Sequence, residues 1–209
     1  MTPNKAPQPR RGSATPRNAR TERETRETKI SLELSLDGGE VAPSTGVGFF
    51  DHMLELLGRH AGLGLVVEAK GDLETGAHHT VEDVGIAFGQ ALDQALGDRG
   101  GIRRYGHAVV PMDEALGECA IDVSGRPFCR FESELPAVSI AGFDSELAEE
   151  FFRAVSSNAK LSVHVSTRYG NNAHHLIEAM FKAFARALRA AVEIDPREDG
   201  VPSTKGTLT

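Results

Sequence analysis

Eight histidines occur in this chain: His52, His60, His78, His79, His107, His164, His174 and His175. Four of them form two adjacent pairs, and each pair opens the same pattern, HHTVED at His78–Asp83 and HHLIEA at His174–Ala179. In both copies a glutamate, Glu82 or Glu178, follows the first histidine by four residues and the second by three. On a helix those are neighbouring positions on one face, so the carboxylate and one imidazole can share a metal ion. The adjacent histidine points about 100° away. Each pair is therefore suited to serving two ions rather than clamping one.

Imidazole and carboxylate donors without thiolate suit Mn2+, Fe2+ or Zn2+ in open coordination, not structural zinc. Such an ion takes about four to six donors, more than either motif supplies. The missing ligands must come from the other copy or from another subunit. Upstream of each pair stand His52 and Glu150, both on the helix expected to precede the motif, and they pair as equivalents. The candidate ligand set is His52, His78, His79, Glu82, Glu150, His174, His175 and Glu178. Glu149 beside Glu150 gives that position an ordinary surface alternative. His164 stays open between packing and a role at the metal, and a structural role is the simpler reading of His107. Neither an HExxH motif nor a GxxxxGK[ST] or GxGxxG loop is present.

The elements that must hold these residues are readable from periodicity. Ile30, Leu32, Leu34 and Leu36 alternate with polar residues, which predicts a strand ending at Gly38 and Gly39. A flexible stretch, Ser44–Gly48, then leads into a helix over Phe49–Arg59, a strand over Leu63–Lys70 and a helix over Thr80–Leu96. The second half repeats this grammar with strands at Gly106–Pro111, Glu118–Val123 and Phe128–Glu134. A helix over Ser145–Ser157, a strand over Leu161–Ser166 and a long helix over His174–Val192 follow. A motif recurring in the same context points to internal duplication. The expected fold is α+β, with duplicated βαβ-type halves related by a pseudo-twofold axis and helices packed between or against mixed sheets.

The chain has 209 residues, 40% of them apolar, and a net charge of −7. Residues 1–26 hold seven Lys or Arg against two Glu, four prolines and almost nothing apolar, which predicts a disordered tail of charge +5 and leaves −12 on the rest. The tail has no aromatic residue to stack on a base and no apolar face for a membrane, so neither nucleic acid nor a membrane is an expected partner. No apolar run is long enough to span a bilayer and no secretory signal is recognisable, so the expected location is the cytoplasm. Cys119 and Cys129 are too few for a disulfide framework.

Several segments resemble one family closely: GVGFFDHML (Gly46–Leu54), GDLETGAHHTVEDVGIAFGQAL (Gly71–Leu92), PMDEAL (Pro111–Leu116), DVSGRP (Asp122–Pro127), NAHHLIEAMFKAFARAL (Asn172–Leu188) and PSTKG (Pro202–Gly206). They are similar to imidazoleglycerol-phosphate dehydratases of histidine biosynthesis, over about Arg23 to the C-terminus. The resemblance implies a dehydratase domain over 27–209, with repeats at about 27–105 and 106–195 and a substrate-binding C-terminal tail at 196–209. It also implies two Mn2+ ions per active site and sites built between subunits of a homo-oligomer, a 24-subunit particle made from trimers. Some relatives carry histidine where this chain has Glu150.

The implied reaction converts D-erythro-imidazole-glycerol phosphate to imidazole-acetol phosphate, a small phosphorylated imidazole substrate losing water. No carbonyl acidifies the C–H bond to be broken. Two Mn2+ ions holding the ring as imidazolate would let its electrons expel the adjacent hydroxyl, through a diazafulvene whose neighbouring C–H is acidic. Glu27 matches the family's acid/base glutamate, and Glu178 is a second proton-transfer candidate, although an ion lowers its pKa. Arg104, Arg126, Lys182, Ser203 and Lys205 match phosphate-binding positions. Glu27, His52, His60, His78 and His174 complete the implied substrate contacts, with helix capping the alternative for His60. Without the resemblance, the histidine and glutamate helices also fit a non-catalytic metal-storage assembly.

Overall fold

The alternation that starts at Ile30 makes a strand because every second side chain, Ile30, Leu32 and Leu34, is buried against a helix. The computed structural model describes residues 16–208. The first half runs β1 (Asn18–Glu24), β2 (Thr28–Ser35), β3 (Val41–Ser44), α1 (Gly48–Ala61), β4 (Gly64–Gly71) and α2 (His78–Leu96), with a single 3-10 turn at Leu73–Thr75 before α2. The second runs β5 (Tyr105–Met112), β6 (Ala115–Asp122), β7 (Phe128–Glu132), a small hairpin of β8 (Ser139–Ile140) and β9 (Phe143–Asp144), α3 (Leu147–Ala159), β10 (Ser162–Tyr169) and α4 (Ala173–Val192).

The halves share one topology. Strand order is β1-β2-β4-β3 in the first sheet and β5-β6-β10-β7 in the second. In each, three strands pair antiparallel and the last edge strand pairs parallel to its neighbour. That parallel pair is joined through a helix, α1 or α3, and a second helix, α2 or α4, follows. This is the duplicated α+β fold expected from the repeated motif. The helices lie between the sheets, with α1 packed on α4 and α2 on α3. Phe50, Phe143, Phe151, Phe152, Phe181 and Phe184 fill the interior, with ring centroids 4.9–5.8 Å apart in successive pairs.

Helix α4 sits unusually close to its sheet. A Cβ on Gly106 would lie 1.8 Å from the Ala187 carbonyl oxygen, and one on Gly117 would lie 2.7 Å from that of Ala179. Only glycine permits this approach, which aligns the start of α4 with Gly117 and its end with Gly106.

Two expectations change. The disordered tail predicted for 1–26 does not extend that far, because Asn18–Glu24 pairs along its whole length with β2, from Asn18 opposite Ser35 to Glu24 opposite Lys29. The strand is held by its ladder and by charge, with Arg20 on Glu33, Arg23 on Asp83 and Arg17 on Asp37. Its inner face offers Thr21 rather than an apolar run, so no hydrophobic alternation betrays it. Residues 1–15 lie outside the described residues. The stretch expected to be flexible from Ser44 instead begins with the end of β3, an edge strand that accommodates Pro43.

Candidate functional site

The crossing of α1 over α4 brings three candidate ligands together. Among the described residues, the ligand atoms of His52, His174 and Glu178 all lie within 4.8 Å of one another. Glu178 Oε2 is 3.0 Å from His174 Nε2 and 3.5 Å from His52 Nε2. Adjacent donors around a first-row ion at about 2.1 Å are separated by about 3 Å, so two imidazole nitrogens and a carboxylate at these spacings fit such an ion. The Phe49 ring packs edge-on against His174 with centroids 4.9 Å apart. Asp51 fixes the start of α1 by accepting from the Thr45 N–H and hydroxyl, both at 2.7 Å. Asn172 caps α4 by accepting from the N–H groups of His174 and His175.

Glu178 is buried, and its other oxygen accepts from Lys182 Nζ at 2.5 Å. Burial raises the Glu178 carboxyl, but the Lys182 and His174 hydrogen bonds and the charges of Lys182 and His52 outweigh it and hold the group below its ordinary range.

The two histidines of each pair diverge as helix geometry requires, with ring planes at 86° for His78 and His79 and 81° for His174 and His175. His78 turns toward Glu82, at 3.9 Å. His79 Nδ1 faces Asp72 at 3.1 Å, with Glu27 Oε2 at 3.8 Å. His175 Nδ1 faces Glu114 Oε2 at 2.7 Å, while Glu114 Oε1 accepts from the N–H groups of Asn171 and Asn172. The His175, Asn172 and Asn171 hydrogen bonds hold Glu114 at about 2, and the same Glu114 bond raises His175. The Asp72 bond likewise raises His79.

Glu150 is half-buried on α3 beside the Glu149–Arg153 ion pair and stands apart from the triad. Its place on α3 corresponds to that of His52 on α1. His60, in the last turn of α1, is held below its ordinary pKa by burial and by the charges of Lys182 and Arg186. His164 and His107 lie on the exposed face of the second sheet, against Phe128 and Glu118 respectively. Neither joins the triad.

The expected phosphate residues divide. Lys182 stands beside Glu178. Arg104 is at the far end of α4, where its N–H donates to the Ala191 carbonyl, its guanidinium grips both oxygens of Asp122, and Nη1 donates to the Pro202 carbonyl. Exposed Arg126 follows β6 at that end, its Nη1 on the Ser124 carbonyl. Ser203 and Lys205 follow Pro202, in a segment that Arg99 pins through the Leu208 carbonyl. From His174 to Ala191 the helix rises about 25 Å, so one chain's triad and its own Arg104 cannot grip one small phosphorylated substrate.

Three carboxylates at the site escaped assignment from sequence. Asp72 and Glu114 lie inside GDLETGAHH and PMDEAL, but no helical spacing links them to the histidines they touch. Asp83, next to Glu82, is buried and accepts from the Thr28 hydroxyl at 2.5 Å and from Arg23. It ties α2 to the strands flanking the turn that carries Glu27.

A family model described as imidazoleglycerol-phosphate dehydratase matches residues 45–188. A relative of that description from Polaromonas sp. is 54% identical over 99% of this chain and 99% of its own length. One from Symbiobacterium thermophilum is 56% identical over 94% of this chain and 95% of its own. The crystal structure of imidazoleglycerol-phosphate dehydratase from Staphylococcus aureus superposes with a TM-score of 0.78 at 42% identity, covering 85% of this chain and 99% of that one. The Pyrococcus furiosus structure gives 0.79 at 34% identity, over 90% and 100%.

Proposed function

Because the chain belongs to the imidazoleglycerol-phosphate dehydratase family, a hydro-lyase of histidine biosynthesis, we propose that it works as a Mn2+-dependent dehydratase with two ions per active site. The cluster of His52, His174 and Glu178 supports the metal reading, since its donor set and spacing suit such an ion. By the pseudo-twofold relation, His78, Glu82 and Glu150 would be the corresponding set on α2 and α3, although among the described residues their ligand atoms do not gather within 4.8 Å as the triad's do. The remaining paired histidines, His79 and His175, would add donors.

When bound, Mn2+ would act as a Lewis acid toward the substrate's imidazole, stabilising negative charge on the ring so that its electrons can expel the adjacent hydroxyl. The chain's own groups then manage protons and charge. Glu178 is paired with the Lys182 ammonium at 2.5 Å, which suits it to holding charge rather than carrying a proton. Glu27, about half exposed, has a carboxylate with no hydrogen bond among the described residues and lies 3.8 Å from His79. It would relay the substrate ring's proton to the departing hydroxyl, so that water leaves, and then take the proton from the neighbouring carbon and return it to the ring nitrogen, leaving an enol that becomes the ketone.

Arg126, Ser203, Lys205 and Arg104 would hold the phosphate, with Lys182 beside the metal cluster. Their placement at the other end of α4 supports sites completed between chains. The count of 24 built from trimers follows the family resemblance. Among the described residues no helix is long and apolar enough to cross a membrane, and a cytoplasmic location fits the biosynthetic role. The reading is tested by turnover of imidazole-glycerol phosphate after chelation and again after Mn2+ is restored. Loss and recovery of imidazole-acetol phosphate formation are expected. Full activity in the chelated protein would overturn metal dependence.

A further inference from the structure

The hydrogen bonds of His79 and His175 are made by residues that do not correspond in the two halves. Each ring uses Nδ1, and each partner is a carboxylate, Asp72 at 3.1 Å and Glu114 at 2.7 Å. An ionised carboxylate can only accept, so Nδ1 carries the proton, and in the neutral ring the lone pair falls on Nε2. Asp72 follows β4. The position following β10, its counterpart, is Gly170, which has no side chain to offer. Glu114 instead sits on the β5–β6 turn, whose counterpart is the β1–β2 turn bearing Glu27. The same bond is thus built twice from different places in a duplicated fold, which chance packing does not require.

A consequence concerns Glu27. In the second half the turn carboxylate, Glu114, is fully engaged by His175 and two backbone N–H groups. In the first half Asp72 takes the histidine, and Glu27 is left 3.8 Å away, its carboxylate accepting no hydrogen bond among the described residues. Asp72 is itself fixed by the Thr75 hydroxyl at 2.9 Å.

We propose that Asp72 and Glu114 are positioning residues that hold His79 and His175 as Nδ1–H tautomers, present their Nε2 atoms as metal donors, and in the first half leave Glu27 free for proton transfer. The inference rests on the metal-dependent reading. A carboxylate behind a metal-binding histidine fixes the ring and strengthens the donor, and losing it weakens metal affinity about 10- to 100-fold.

The test compares the wild-type protein with Asp72→Ala, Asp72→Asn, Glu114→Ala and Glu114→Gln. Mn2+ binding is measured by equilibrium dialysis, folding by circular dichroism, and the tautomers of the metal-free protein by nitrogen NMR of labelled histidine. Each alanine variant should fold, lose its Nδ1–H signature and bind one ion about 10- to 100-fold more weakly. Each amide variant, which still presents an acceptor oxygen, should recover part of that loss. If an alanine variant does not fold, its amide variant decides alone, with a several-fold loss expected. Wild-type protein that binds two ions while the variants bind them equally tightly would overturn the positioning role and leave the metal reading standing. Wild-type protein that binds no Mn2+ would overturn both, and the tautomer signal would then report packing only.

Discussion

The N–H of Arg104 donates to the carbonyl of Ala191 at 2.9 Å, which fixes this arginine at the end of α4 opposite His174. The histidine cluster and the phosphate-binding candidates other than Lys182 are therefore held apart in one chain by a rigid helix that is itself wedged onto glycine positions of its sheet.

Two inactive variants should consequently complement each other. Glu178→Gln removes a metal donor, and Arg126→Ala combined with Lys205→Ala removes phosphate grip at the other end. Each alone should lose most turnover. If each site draws its halves from different chains, as proposed, random co-assembly at equal amounts should restore roughly a quarter of the wild-type sites. Activity of doubly tagged mixed particles measures this, and no gain over either parent would show that one chain builds a whole site.

Glu27→Gln should keep Mn2+ binding and substrate affinity while kcat falls about 100- to 10,000-fold, the usual worth of a positioned acid or base. Steady-state kinetics with dialysis of the metal decides it. An unchanged kcat would remove the proton-transfer role.

Asp83→Asn acts on the same turn from behind. It weakens buried bonds to Thr28 and Arg23 and should cost about 1–3 kcal/mol. Thermal unfolding should show the loss, and kcat should fall more than KM rises because Glu27 is no longer held in place.

Glu150 occupies on α3 the place of His52 on α1. Glu150→Ala should weaken the binding of one of the two proposed ions, and Glu150→His should restore it. Metal counting on the purified particles reads the result, and tight full occupancy in the alanine variant would return Glu150 to the surface.

Gly117→Ala places a methyl against the Ala179 backbone and should destabilise the fold by about 1–3 kcal/mol through overpacking. The displacement of α4 should also loosen the contact of His174 with Glu178, visible as weaker Mn2+ binding. Unchanged stability would mean that α4 can shift freely on its sheet.

Acid should weaken the anchorage of β1. The Arg17 hydrogen bond holds Asp37 below its ordinary value of 3.8 against partial burial. A carboxyl depressed in the folded state adds stability that is present above the unfolded value and is lost as pH falls through the folded one. Wild-type protein should therefore melt above Asp37→Asn at neutral pH, with the gap closing below about pH 3.8. A gap independent of pH would exclude the ion pair as its source.

The helices and the duplicated plan were legible because helical periodicity converts spacing into shared faces. His174 and Glu178 meet at four residues' distance, as their positions predict. His52 could be proposed through its place upstream, and the α1–α4 crossing then delivered it. Strand β1 was not legible, since ladder bonds and the Arg17, Arg20 and Arg23 ion pairs hold it without an apolar alternation. Asp72 and Glu114 were hidden for a different reason: a turn or a sheet crossing, neither of which has a fixed sequence period, brings each to its histidine.

The length of α4 has a consequence for how this catalyst can fail. If sites are completed between chains, as proposed, a chain that folds perfectly but meets no neighbour would be inert, and specific activity should depend on dilution as well as on active-site chemistry. Loss of function then has two routes of equal standing, and a surface substitution remote from every histidine can silence turnover by thinning the population of neighbours.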